Sequence, residues 1–217
     1  MTFPTEPFGL YLILTAPRAG YRACAEAAVA EGVRVLQLRM KGAPAEDVRA
    51  VARDLRAITR GSSTLLIIND DVQLAAAVDA DGVHLGQDDL PVPQARRRWA
   101  QPGKIFGLST HNLTQLKTAE TLHPDYIGIG PIFPTPAKGG RDPVIGPQGL
   151  AALLQSTVLP AVAIGGINAE NLPQVLACGI GNYAVIRAVG DASDPRDAIR
   201  RLRDAEYRFF STRRTAS

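Results

Sequence analysis

Polar and charged residues recur in this chain directly after short apolar runs. Gln37-Leu38-Arg39-Met40-Lys41 follows Val35-Leu36, Asn69-Asp70-Asp71 follows Leu65-Leu66-Ile67-Ile68, and His84-Leu85-Gly86-Gln87-Asp88-Asp89 follows Gly82-Val83. Ser109-Thr110-His111 closes the run that starts at Ile105, and Gly165-Gly166 closes the one that starts at Ala161. Arg39, Lys41 and Lys138 are cationic, and Asp70 and Asp89 are anionic. Carboxylates and cations around one cavity suit a divalent hard cation that also binds a polyphosphate. Mg²⁺ takes a few carboxylates and completes its shell with phosphate oxygens and water. Lysine and arginine then neutralise the remaining phosphate charge. The competing account is a set of ordinary rim salt bridges, such as Asp70–Arg39. It is competitive for any one residue and weaker for a group that converges on one rim.

Other residues carry less. Gly165-Gly166 lets backbone N–H groups approach a phosphate closely, although a tight turn would also need glycine. His84 lies inside an apolar run and reads as a satisfied core residue. His111 stands at a run's end and is a weak candidate for a ligand contact. His123 precedes Pro124 and reads as structural. No Ser/His/Asp or Cys/His arrangement is visible, which disfavours a covalent enzyme intermediate.

The elements that must position these residues can be read from periodicity. Eight β-rich runs begin at Leu10, Val35, Leu65, Gly82, Ile105, Tyr126, Ala161 and Tyr183. Their spacing of about 25 residues leaves room for a helix in each gap. Residues 44–58 place Val48, Val51, Ala52 and Leu55 on one helical face. Asn112 or Thr114 is expected to cap the helix through Leu116, and Asn168 the helix through Leu172. Strict strand–helix alternation predicts a parallel sheet, and eight strands close a barrel. The rival open sheet would carry G-x-G-x-x-G in its first unit. The chain has Ala16-Pro17-Arg18-Ala19-Gly20 there instead. The expected fold is therefore α/β, a single-domain (β/α)8 TIM barrel over residues 1–217, with the barrel at about 10–210 and a disordered tail at 211–217. In such a barrel the chemistry sits at the C-terminal strand ends, where the polar runs fall. Alternation turns Gln37, Arg39 and Lys41 to one side, toward the mouth. The sixth connection, from Ile132 to Gly146, is long enough to act as a lid.

Length and composition agree. The 217 residues are 46% hydrophobic and 21% charged, the balance of a globular protein. A net charge of +3 is too small to imply nucleic acid, and no aromatic–basic interleaving is present. No apolar run reaches the roughly 20 residues that a membrane span needs. The first residues do not read as a signal peptide, so the expected location is cytoplasmic. Cys24 and Cys178 have no metal or disulfide spacing and read as small packing residues. Only four lysines occur, at 41, 104, 117 and 138, which makes the two at the rim more informative.

Residues 35–42, 68–71, 81–91, 107–111, 125–138 and 163–171 together resemble the thiamine phosphate synthase family. The most specific blocks are His84-Leu85-Gly86-Gln87-Asp88-Asp89 and Gly128-Ile129-Gly130-Pro131-Ile132-Phe133-Pro134-Thr135. The resemblance implies a transferase that joins hydroxymethylpyrimidine diphosphate to hydroxyethylthiazole phosphate and releases pyrophosphate by a dissociative route. It implies that Asp70 and Asp89 hold Mg²⁺. It sets Gln37, Arg39, Lys41, Asn69, Ser109 and Lys138 around the pyrimidine diphosphate and counts Leu38 and Met40 among the substrate-binding residues, although alternation turns the Met40 side chain away from the mouth. It sets Thr135, Pro136, Ala137, Gly166, Ile186 and Arg187 on the remaining substrate-binding surface, with the thiazole phosphate at Thr135, Gly166 and Ile186. Arg39, Lys41, Ser109 and Lys138 would act on the reacting groups.

Three departures from the family stand out. Met40 replaces a polar residue, Arg187-Ala188-Val189 replaces Ser-Ala-Ile, and Gly179-Ile180-Gly181-Asn182 replaces Gly-Ala-Asp-Gly. Small molecules are the expected partners, and a homodimer is compatible with the sequence. A thiazole tautomerase-like isomerase and a noncatalytic phosphate-binding barrel are the alternatives. Neither needs Asp70, Asp89, Lys41 and Lys138 together.

Overall fold

The computed structural model describes residues 2–135 and 142–214. Eight strands form a closed parallel barrel in sequence order. They are β1 (Gly9–Leu14), β2 (Val35–Leu38), β3 (Leu65–Asn69), β4 (Gly82–Leu85), β5 (Ile105–Thr110), β6 (Tyr126–Ile129), β7 (Ala161–Ile164) and β8 (Asn182–Val185). The helices are α1 (Tyr21–Ala30), α2 (Ala45–Thr59), α3 (Val72–Ala77), α4 (Val92–Arg98), α5 (Leu113–Leu122), α6 (Gly146–Leu154), α7 (Leu172–Leu176), α8 (Arg187–Gly190) and α9 (Pro195–Arg214). All eight predicted strands are present, and the expected (β/α)8 barrel is the fold found. Helix α9 runs past the expected boundary at Ser211, so residues 211–214 continue the helix instead of forming a loose tail.

Strand alternation divides the apolar residues between two layers. Leu10, Leu12, Leu14, Leu36, Leu38, Leu66 and Ile68 face outward and pack beneath the helices. Tyr11, Ile13, Val35, Leu65, Ile67, Ile105, Tyr126, Val162 and Ala184 fill the barrel interior. Phe3 closes the interior from the N-terminal side, with its ring stacked 4.1 Å from that of Tyr126. Large rings in so narrow a space need a missing side chain beside them. A Cβ on Gly107 would lie 2.2 Å from Cζ of Tyr126 and 2.6 Å from Nδ1 of His84.

One of the two expected caps is found: Asn112 caps α5, whereas the N-cap of α7 is Asn171 and not Asn168. Asn112 accepts from the Gln115 N–H at 2.9 Å and opens α5. Asn168 accepts from the Glu170 and Asn171 N–H groups in the turn just before α7. Cys24 is fully buried as expected, whereas Cys178 is only partly covered.

The opposite end of the barrel uses a repeated device. Asp81 precedes β4 and accepts from the Leu66 N–H of β3 at 2.8 Å and from Arg56 at 2.9 Å. Asp125 precedes β6 and accepts from the Phe106 N–H of β5 at 2.7 Å and from Arg96 at 2.9 Å. Each carboxylate satisfies a strand-start donor on the neighbouring strand and a cation on a helix. Asp81→Ala removes the shorter ion pair of the largely enclosed Arg56, leaves it only Asp79 at 3.6 Å, and strips the Leu66 N–H of its acceptor. The expected cost is about 2–4 kcal/mol in urea unfolding. A midpoint unchanged from the parent protein would show that this device does not support the barrel.

Candidate active site

The C-terminal strand ends gather most of the residues singled out above. A small central cavity of about 40 Å³ is lined by Gln37, Arg39, Asn69, Ser109 and Ile186, with Tyr11, His84 and Tyr126 among its walls. These residues come from β1 to β6 and the end of β8, so only closure of the barrel brings them together.

Their polar atoms form one chain of hydrogen bonds. The Gln37 amide donates to the Tyr11 hydroxyl at 2.6 Å, and the hydroxyls of Tyr11 and Tyr126 meet at 2.9 Å. The Tyr126 hydroxyl lies 2.9 Å from Nδ1 of His84, and Nε2 of His84 lies 2.9 Å from Oγ of Ser109. Burial pushes both phenols above the ordinary tyrosine range, so they keep their protons. Tyr11 accepts from Gln37, and in its contact with Tyr126 either hydroxyl can be the donor. His84 bridges Tyr126 and Ser109 through its two ring nitrogens. Ser109 is 7% exposed. His84 is thus a satisfied interior residue, as its place in a strand suggested. Tyr11 and Tyr126 were not singled out from the sequence. Alternation puts them on the inward face, but only barrel closure makes them neighbours.

Asp70 and Asp89 meet at the rim. Asp70 follows β3 with a φ of 64°, a left-handed turn that redirects its side chain. Asp89 is held by the Gly86 N–H at 2.6 Å. Burial, and then the neighbouring Asp89, push the Asp70 carboxyl above the usual carboxylate range, and Lys41 opposes them. Lys41 pairs with Asp70 at 3.0 Å. The rim ion pair is therefore Lys41–Asp70 and not Arg39–Asp70. Burial lowers the Arg39 guanidinium from its ordinary value, with Asp70 partly compensating. Two carboxylates in contact, with cations behind them, form a donor set that a divalent cation would relieve. Among the described residues there is no cluster of three or more His, Cys, Asp or Glu side chains placed for a metal. Any such ion would draw its remaining ligands from substrate and water.

Two larger cavities flank the centre. One of about 410 Å³ includes Leu38, Met40, Lys41, Asn69 and Asp70 in its lining. Leu38 is buried in the outer core and Met40 packs against it, so both side chains face the helix layer, away from the barrel axis. The other, of about 550 Å³, is lined by Thr135, Asp142, Gly165, Gly166, Ile186, Arg187 and Asp191, among others. Gly165 has a φ of 107° and Gly166 a φ of 65°. A Cβ on Gly165 would lie 2.5 Å from Cα of Pro131, and one on Gly166 2.8 Å from the Pro134 carbonyl oxygen. The glycine pair thus lets the start of the sixth connection lie against β7, and it also lines the cavity. Arg187 is tied to Asp191 at 2.7 Å. Pro136, Ala137 and Lys138, with the middle of the expected lid, lie outside the described residues.

Residues 10–189 match the model of a family described as thiamine monophosphate synthase. The chain is 40% identical over 202 residues to a thiamine-phosphate synthase of Moorella thermoacetica, covering 92% of this chain and 96% of that one. It is 45% identical over 183 residues to the one of Chloroflexus aurantiacus, covering 84% of each. Among solved structures it is similar to thiamine phosphate pyrophosphorylase from Pyrococcus furiosus. That match has a TM-score of 0.82 and 37% identity, and covers 94% of this chain and 97% of that one.

The hydrogen-bond chain makes Tyr126 a hub. Tyr126→Phe removes the hydroxyl that hydrogen-bonds both Tyr11 and His84 inside the barrel. The expected loss is about 1–3 kcal/mol in denaturant unfolding. A stability equal to the parent protein's would mean that water or a neighbour replaces the hydroxyl without cost.

Proposed function

The chain belongs to the thiamine monophosphate synthase family, and from that premise we propose that it condenses hydroxymethylpyrimidine diphosphate with hydroxyethylthiazole phosphate to thiamine phosphate and pyrophosphate. Family membership makes it an enzyme of the transferase class. The observation that carries this reading is the convergence of Gln37, Arg39, Asn69 and Ser109 on one cavity beside Lys41, Asp70 and Asp89.

In the proposed mechanism the C–O bond to the diphosphate breaks first, and pyrophosphate leaves with the electron pair. The pyrimidine stabilises the carbocation left behind. The thiazole nitrogen then attacks with its lone pair and forms the new C–N bond. No proton is removed in these steps, which suits a site whose one interior histidine is already committed to Tyr126 and Ser109. Arg39 and Lys41 stabilise the charge that develops on the leaving group. Gln37, Asn69 and Ser109 hold the pyrimidine diphosphate in line for departure. Thr135, Gly166 and Ile186 receive the thiazole phosphate, with Arg187 beside it. Lys138, Pro136 and Ala137 enter the proposal by family resemblance alone. Asp70 and Asp89 would hold Mg²⁺, which supplies countercharge to the diphosphate when bound.

No helix among the described residues is long and apolar enough to cross a membrane. The proposed ligands are small molecules.

The test is purified protein with both substrates and Mg²⁺. Thiamine phosphate and pyrophosphate should form in equal amounts, and neither should form when one substrate is left out. Folded, metal-supplied protein that gives no product above background would sink the synthase reading. Asp89→Ala should lower turnover by at least about a hundredfold with an unchanged circular dichroism spectrum. Undiminished turnover would remove Asp89 from the ion's ligands.

A further inference from the structure

His111 follows β5 and lies between the two ends of the sixth connection. Its Nδ1 is 2.5 Å from the carbonyl oxygen of Gly130, at the end of β6. Its Nε2 is 3.4 Å from a carboxylate oxygen of Asp142, on the connection's return. The ring is well enclosed, with 11% of its side chain exposed. Asp142 lines the 550 Å³ cavity with Thr135 and Gly166. Three residues further on, the Ile145 N–H donates to the Pro131 carbonyl at 3.0 Å and closes the base of the connection a second time.

Both partners of the ring are acceptors. A neutral imidazole has one N–H and one lone pair, so it can serve only one of them. The imidazolium serves both, and its charge matches Asp142. Asp142 is the charged group set against the ring among the described residues. From α5, the neutral amide oxygen of Gln115 accepts from the backbone N–H of His111 at 2.8 Å.

We propose that doubly protonated His111 is a positioning residue that holds Asp142 against the end of β6 and so sets the wall of the thiazole phosphate cavity. The proposal rests on the synthase reading for the identity of that ligand, but not for the protonation of the ring.

Two measurements on the full-length protein test it and separate its failure from that of the synthase reading. In ¹⁵N-resolved NMR at pH 6, both His111 ring nitrogens should carry protons, and Asp142→Asn should make the second proton leave at lower pH. This readout needs no turnover. In steady-state assays, Asp142→Asn should raise KM for the thiazole phosphate about tenfold at neutral pH. KM for the pyrimidine diphosphate should hold within about twofold. A ring singly protonated at pH 6, or one that titrates identically with and without Asp142, overturns the pin. So does a change that raises both KM values together, since that is the signature of general damage to the fold.

Discussion

The Tyr126 hydroxyl is the contact on which the site depends. It sits in the barrel interior, where an unpaired polar group is costly, and it joins Tyr11 on one side to His84 on the other. Through these partners one chain of hydrogen bonds runs from Gln37 by way of Tyr11, Tyr126 and His84 to Ser109. The surrounding residues make room for this chain. Gly107 omits a side chain where the Tyr126 and His84 rings pass, and Phe3 stacks on Tyr126 from below. The barrel's packing and its polar pattern are therefore one arrangement.

Charge at the mouth follows a second logic. Asp89 stands against Asp70, and burial deepens the cost of charging Asp70. Lys41 relieves part of it, and Arg39 is held nearby despite its own burial. The metal-bound diphosphate we propose would bring both a cation and an anion to this mouth. Across the mouth the carboxylates of the larger cavity are already matched, Asp142 to His111 and Asp191 to Arg187. A phosphate entering there meets acids that have been paired off.

Much of this was legible in the sequence because strand alternation and unit spacing are local signals. Eight apolar runs predicted eight strands, and the polar residues after them predicted the functional rim. The Gln37, Arg39 and Lys41 alternation placed Gln37 and Arg39 on the cavity, while Lys41 turned to Asp70 at the rim. What could not be read depended on contacts across the closed barrel. Tyr11 and Tyr126 are 115 residues apart, and neither carries a local mark of its partner. His111 and Asp142 lie on either side of β6, and neither carries a local mark of the other. Gly165-Gly166 was read for its ligand-facing backbone, whereas the close approach of Pro131 and Pro134 imposes an equal demand for glycine. The tail from Ser211 read as polar and loose, yet residues 211–214 continue α9.

The central claim is that one rim binds both substrates, the diphosphate over Asp70 and Asp89 and the thiazole phosphate against Gly166. A crystal structure with thiamine phosphate, pyrophosphate and Mg²⁺ tests it most directly. The account predicts pyrophosphate on Arg39 and Lys41, one ion bridging it to Asp70 and Asp89, and the thiazole phosphate beside Thr135 and Gly166. Ligands bound away from the C-terminal strand ends, or an ion that avoids both aspartates, would contradict it.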